Sequence, residues 1–268
     1  MKKLTFIFLF SLLVLICGSC GNSTGTSANR IDELRNRYDR SGEAHNEVLE
    51  LVFEEFVQQK EAGELSGDIE VCRTFVRNTL SGKRLSSLDA VLSLNDEETL
   101  QKIVPFHAFA KNASNKDIVD VLSDSLNIFR KYQSVFDSIA HILDRNTGKE
   151  EKTSELEELY LYIDDSVEND EDKTGLLHSL STIIHSVAYW EDHMQEWHEL
   201  FSPNMQKRTV GIIGAIGIID GAGAVIGTAE GFRDTEPGEE DRARKIIGHA
   251  VGEAANASLM ATLAVILL

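Results

Sequence analysis

Residues 209 to 231 read TVGIIGAIGIIDGAGAVIGTAEG, and the spacing of their glycines constrains the chain more than any other feature. Gly217 and Gly221 are four apart, as are Gly223, Gly227 and Gly231. A glycine inside a helix costs about 1 kcal/mol relative to alanine, so a segment carrying this many must recover the cost elsewhere. Small residues at every fourth position do so by laying a flat groove along a helix, into which a second helix settles at close range. A suitable second helix follows the polar loop Arg233 to Asp241. Ile246 to Leu268 carries Gly248 and Gly252, with Ala250, Ala254, Ser258 and Thr262 on one face. Residues 205–268 are therefore expected to form a helical hairpin with a glycine-zipper seam.

Each arm is about long enough to cross a hydrocarbon core. Against that, Asp220 lies in the middle of the first arm, where an acid costs about 2.5 to 3.5 kcal/mol on insertion. His249 and Glu253 fall in the first turns of the second arm, close to where an interface would lie. Two arrangements follow. In the first the hairpin associates with a membrane or with copies of itself, and Asp220 pairs with a polar group. In the second it is buried in the soluble part of the chain, with Asp220 hydrogen-bonded. The sequence reading adopts the first and keeps the second as its alternative.

Upstream, residues 31–204 read as an acidic helical domain. Val48, Leu51, Val52, Phe53 and Phe56 recur at three- and four-residue spacing and build one apolar stripe. Ile118, Val121, Leu122, Leu126 and Phe129 form another, as do Leu176, Leu177, Leu180, Ile183, Ile184 and Val187. No stretch alternates with β-branched enrichment, and only three prolines punctuate the chain. Breaks fall at Gly63 to Gly67, Ser81-Gly82, Asn95 to Glu98, Asn112 to Asn115, Asn146 to Gly148, Glu168 to Asp172 and Ser202 to Asn204. The fold class is all-α, an irregular bundle of six or seven helices plus the hairpin.

The first nineteen residues read as an export signal. Lys2 and Lys3 make a positive start, and a mostly apolar stretch from Leu4 to Ile16 is shorter than a membrane span requires. Cys17-Gly18-Ser19-Cys20 then resembles a lipobox, with Cys17 where a leucine is usual. That resemblance to bacterial lipoproteins implies cleavage before Cys20, acylation of its thiol, and a lipid anchor in the cell envelope, on the outer membrane in a Gram-negative cell. Acyl chains hold at about 0.8 kcal/mol per buried methylene, so two or three make a durable anchor. Residues 20–30, rich in Ser, Gly, Thr and Asn, are expected to be a flexible tether. A second resemblance lies in Tyr38-Asp39-Arg40-Ser41-Gly42-Glu43-Ala44-His45-Asn46-Glu47-Val48-Leu49, which with the Gly/Ala-rich tail is similar to uncharacterised exported proteins of Bacteroidetes-type bacteria. Such a family brings no established activity, but the resemblance implies that Tyr38, Asp39, His45 and Asn46 act as a local unit. A turn and cap at neighbouring helix ends would account for them.

Composition narrows the partners. Formal charge is −18, and removing a leader with two lysines and no acids takes it to −20. A chain so acidic is repelled by nucleic acid and by anionic head groups. The expected partners are membrane lipid through Cys20 and either a second copy or another envelope protein. Cys17 leaves with the leader and Cys20 takes lipid, so Cys72 alone stays free, reading as a small core residue of a helix.

The one polar constellation that invites chemistry is His178, His185, Tyr189, Trp190, Glu191, Asp192, His193, Glu196, His198 and Glu199. His178, His185 and Asp192 are seven apart and share a helix face, a spacing open to a metal. No His-Glu-x-x-His motif is present, nor the paired Glu-x-x-His of a di-iron bundle. There is no Gly-x-Ser-x-Gly elbow or phosphate loop either. The sequence therefore favours a non-catalytic protein without cofactor. A metal-dependent enzyme built on the His178–His198 helix is one alternative. A soluble ligand- or protein-binding lipoprotein with the hairpin as its core is the other.

Overall fold

The computed structural model describes residues 24–94, 97–104, 114–201 and 210–267. Ten helices and one two-residue strand pair are present among them. They are α1 (Thr24–Ala62), α2 (Ile69–Leu80), β1 (Arg84–Leu85), β2 (Ala90–Val91), α3 (Glu97–Ile103), α4 (Asn115–Ser125), α5 (Asn127–Lys131), α6 (Gln133–Asp144), α7 (Lys149–Ser166), α8 (Asp170–Phe201), α9 (Val210–Arg233) and α10 (Arg242–Leu267). β1 and β2 are antiparallel, with Arg84 opposite Val91 and Leu85 opposite Ala90.

Local chemistry sets most boundaries. α1 stops at Gly63, whose φ of +73° suits a residue without a Cβ. Asp68 then caps α2 by accepting from the amides of Glu70 and Val71, and Cys72, Val76 and Leu80 turn its inner face to the core. α4 opens on a capping box between Ser114 and Asp117. α8 opens on three acids, Asp170, Glu171 and Asp172, which suit the positive end of a helix.

Two differences from the sequence reading have simple causes. Among the described residues eight helices precede the hairpin, where six or seven are expected, because extended backbone at Leu126 and a break at Tyr132 divide residues 115–144 into three. α1 also begins at Thr24, so much of the Ser/Thr/Asn stretch expected as a tether forms its first turns. Arg30 anchors that end by pairing with Asp164 and Asp165 at the C-terminus of α7.

α9 and α10 form the hairpin, and it lies inside the bundle. α8 packs along α9, while α1, α2 and β2 pack on α10. In the two stretches long enough to span a membrane, 83% and 89% of the most apolar window is buried within the protein. One continuous apolar core includes Phe56, Phe129, Trp190 and Trp197 together with Ile216, Ile219, Val251 and Leu259 of the hairpin. Its aromatic centre joins Phe53, Phe56 and Trp197, with ring centroids 5.1 Å and 6.2 Å from the Trp197 ring.

Candidate functional site

The seven hairpin glycines named above divide among three surfaces. A Cβ on Gly223 would stand 2.8 Å from the Ala254 Cα, one on Gly227 2.9 Å from the Ala250 Cα, and one on Gly231 2.6 Å from the Ile246 Cα. These three therefore form the α9–α10 seam. Gly217 and Gly221 instead face α8: a Cβ there would press on Val187 at 2.7 Å and on Ile183 at 2.6 Å. Gly248 and Gly252 face outward from α10, against the backbone carbonyls of Val91 and Ser93. The Ser93 amide returns a hydrogen bond to the Gly248 carbonyl at 3.4 Å.

Across this apolar packing runs a buried polar seam. It joins α1, α8, α9 and α10, and its centre is Asp220, which is fully buried. Ser186 on α8 donates to Asp220 Oδ2, and Ser258 on α10 donates to the same atom at 2.8 Å. The Trp190 indole N–H donates to Ser258 Oγ at 3.1 Å, which leaves the Ser258 hydroxyl proton for Asp220. From α1, His45 Nε2 lies 3.4 Å from Asp220 Oδ2. The network fixes the tautomer of His45. Asn46 donates its amide to the His185 carbonyl at 3.0 Å, so its side-chain oxygen accepts from His45 Nδ1–H, also at 3.0 Å. Nε2 therefore turns a lone pair toward Asp220.

Burial pushes the Asp220 carboxyl up to about 8, despite the opposing hydrogen bonds from Ser186, Ser258 and Trp190. Burial likewise pushes His45 down to about 4, against the hydrogen bond to Asn46 and helped by the nearby His185. At neutral pH the pair therefore holds one proton, on Asp220. Both side chains are fully buried. Both serines bond the carboxyl group, the reverse of the serine–histidine contact that activates a nucleophile.

A second buried imidazole lies further along the α1–α8 contact. His178 Nδ1 is 3.0 Å from Ser41 Oγ, and the Ser41 hydroxyl donates to the Tyr38 carbonyl at 2.7 Å. His178 Nδ1 is accordingly the donor. The Tyr38 ring meets His178 edge-on at 5.0 Å between centroids, and burial lowers His178 to about 4. Gly42 permits this contact, because a Cβ there would stand 2.5 Å from the His185 ring and 2.7 Å from the Ser181 carbonyl. Its amide also donates to Ser181 Oγ at 3.2 Å.

Tyr38, Asp39, His45 and Asn46 lie within one unbroken helix and not at a turn, and each meets a different partner. Asp39 points outward toward Arg35, at 3.4 Å, and toward His185, at 3.8 Å. His178, His185 and Asp192 do not converge. Seven residues of helix separate neighbours by about 10 Å, and their partners are Ser41, Asp39 and Lys149 respectively. No group of three His, Cys, Asp or Glu stands ready for a metal among the described residues. Tyr189 accepts from the Trp197 indole at 3.1 Å and stacks on His193, which faces Glu50 at 3.4 Å. Cys72 is buried, its thiol donates to the Ser66 carbonyl at 3.2 Å, and burial raises it to about 11. Cys20 and the leader lie outside the described residues.

Sequence reasoning placed Asp220 as an acid needing a partner but missed Ser186, His45 and the donor role of Ser258. One signal was present. A hairpin folded about its loop puts Gly223 beside Ala254, and so puts Asp220 level with Ser258. No protein-family model, curated protein or solved structure matches this chain.

Proposed function

We propose that this protein is a lipid-anchored component of a bacterial envelope that acts by binding and not by catalysis, through a helical domain whose core is the C-terminal hairpin. The anchor rests on Lys2-Lys3, the apolar leader and the lipobox at Cys20. The charge of −18 turns away nucleic acid and anionic head groups, leaving another envelope protein or a second copy as partner. The observation that carries the reading of the hairpin is the fit of its glycines. A hairpin alone in a bilayer needs only the Gly223–Gly227–Gly231 seam. Gly217 and Gly221 are fitted to α8, and Gly248 and Gly252 to the backbone at Val91 and Ser93.

The test compares the whole chain with one ending at Asn204, by circular dichroism, sedimentation and flotation on phosphatidylethanolamine/phosphatidylglycerol vesicles. The shortened chain is expected to lose helicity and aggregate, because α8, α1 and α2 lose the surface they pack on. A shortened chain that stays helical and monomeric would instead make the hairpin a separable membrane element and sink this reading.

A further inference from the structure

Beside the Gly175–Val225 contact of α8 and α9, the short helix α5 closes a cleft of about 290 Å³. Its apolar lining is Ile128 of α5, Gly175 of α8, and Val225, Ile226 and Ala229 of α9. Small residues on both long helices open it. A Cβ on Gly175 would already stand 3.1 Å from Val225 Cγ2. Ile128 and Ile226 are only half-buried, packed on the core from one side and lining the cleft with branched aliphatic surface. The volume lies near the lower bound of ligand sites, about 300 Å³. It suits a short hydrocarbon chain and is too small for a nucleotide.

The polar lining is Asn127, Lys131, Glu171 and Asp172. Lys131 pairs with Asp172 at 2.5 Å, and the Tyr132 hydroxyl donates to the same carboxylate at 2.8 Å. Glu171 is exposed and has no ion pair among the described residues. The positive end of α8 does not cancel it, because the three acids Asp170, Glu171 and Asp172 outweigh the half charge of a helix terminus. One unpaired carboxylate therefore stands beside an aliphatic floor. A cation driven onto that floor would lose its hydration for nothing in return. A ligand that satisfies both surfaces carries its hydrocarbon inward and its positive charge outward.

The geometry points to this cleft as a binding site for a small aliphatic amine, its chain on Ile128, Val225 and Ile226 and its ammonium group beside Glu171. A free alkylamine and the N-terminus of a peptide with an aliphatic first residue share that chemistry. A lysine side chain, which enters ammonium first, does not. The inference gives a ligand class to the binding role proposed above and rests on the hairpin being packed in the bundle, because α9 forms one wall.

Methyl NMR of the full chain, following Ile128, Val225 and Ile226 during titration, tests this. Hexylamine should shift these methyls saturably and bind more tightly than hexanol, with hexanoate weakest. Affinity should rise from propylamine to hexylamine by up to about 4-fold per methylene, the factor for burying one. Glu171→Gln should weaken hexylamine by up to about 5-fold, the range of an exposed ion pair, and leave hexanol unchanged. Ala229→Leu, which fills the cleft, should abolish binding while the chain stays folded. Hexanol binding as tightly as hexylamine overturns the inference, as does an affinity indifferent to chain length or undiminished in a folded Ala229→Leu chain. If that variant does not fold, the chain-length and charge series on the native chain decide. Leucyl-glycyl-glycine separates the two sources: binding tighter than hexylamine assigns a peptide N-terminus, weaker binding a free amine. The truncation at Asn204 reads the hairpin without any amine, so the two readings fail separately.

Discussion

Replacing Asp220 by asparagine should reshape the dependence of stability on pH. In the folded protein Asp220 titrates at about 8 and His45 at about 4, against ordinary values of 3.8 and 6.5. Between about pH 4 and 6.5 each state of the pair holds one proton, on Asp220 when folded and on the histidine when unfolded, so stability is level. From 6.5 to 8 the folded pair keeps a proton that the unfolded chain has released. Stability therefore falls as pH rises, by about 2 kcal/mol over that span at 1.36 kcal/mol per unit. Asp220→Asn removes the fall. Its side-chain oxygen still accepts from Ser186 and Ser258, and its amide can donate to His45 Nε2. His45 is then left alone with a depressed folded pKa. That contribution is present above 6.5 and is lost as pH drops toward 4, costing about 3 kcal/mol. The variant should therefore gain about 5 kcal/mol on the native protein between pH 4 and pH 8, read from urea unfolding followed by circular dichroism. A difference that stays constant across that range would mean Asp220 is ionised in the fold, and the single-proton account would be wrong.

Gly227→Ala should cost about 2 to 3 kcal/mol in a thermal or urea melt, because its Cβ meets the His249 and Ala250 backbone, which cannot rotate away. Gly217→Ala should cost less than half as much, since Val187 can turn aside and alanine restores about 1 kcal/mol of helix propensity. Cys20→Ser should abolish incorporation of labelled palmitate and move the protein to the soluble fraction. Palmitate retained by the serine variant would remove the lipoprotein reading.

Helix content was legible because the 3.6-residue stripes are strong and breaks such as Gly63 to Gly67 and Asn146 to Gly148 fall between helices. The hairpin was legible from its glycines, since their propensity cost requires a compensating close approach. Their division among α10, α8 and the backbone at Val91 and Ser93 was hidden, because spacing reveals that a face is flat and not what lies against it. Helix lengths misled at residues 24–30, where weak formers are carried into α1 by the Arg30 ion pairs. The His45–Asp220 contact joins residues 175 positions apart, and no local pattern encodes such a pairing. The histidines of α8 showed the opposite problem. Their seven-residue spacing is visible, but each is taken by a different neighbour.

An acid in a glycine-rich core is costly, yet the hairpin needs something that its small residues cannot supply. Gly223, Gly227 and Gly231 face Ala254, Ala250 and Ile246, and small residues recur every turn, so the seam alone discriminates poorly between registers one turn apart. Sliding α10 by one turn in one direction brings Ala254 to the place of Ser258. The Trp190 indole then loses its partner, at about 1 to 3 kcal/mol for a buried group left unsatisfied, and Asp220 loses one of its two serine donors while keeping Ser186. Sliding it the other way brings Thr262, which can still donate, so the carboxyl group does not oppose that slip. It is opposed by Gly252, because Asn256 would then occupy a position where even a Cβ collides with the Ser93 carbonyl. The buried acid and the outward-facing glycine thus guard opposite directions of the same sliding coordinate. A hairpin that sets its register by the backbone at Ser93 and a tryptophan outside itself is specified by the bundle, which is why its removal should cost the protein its fold.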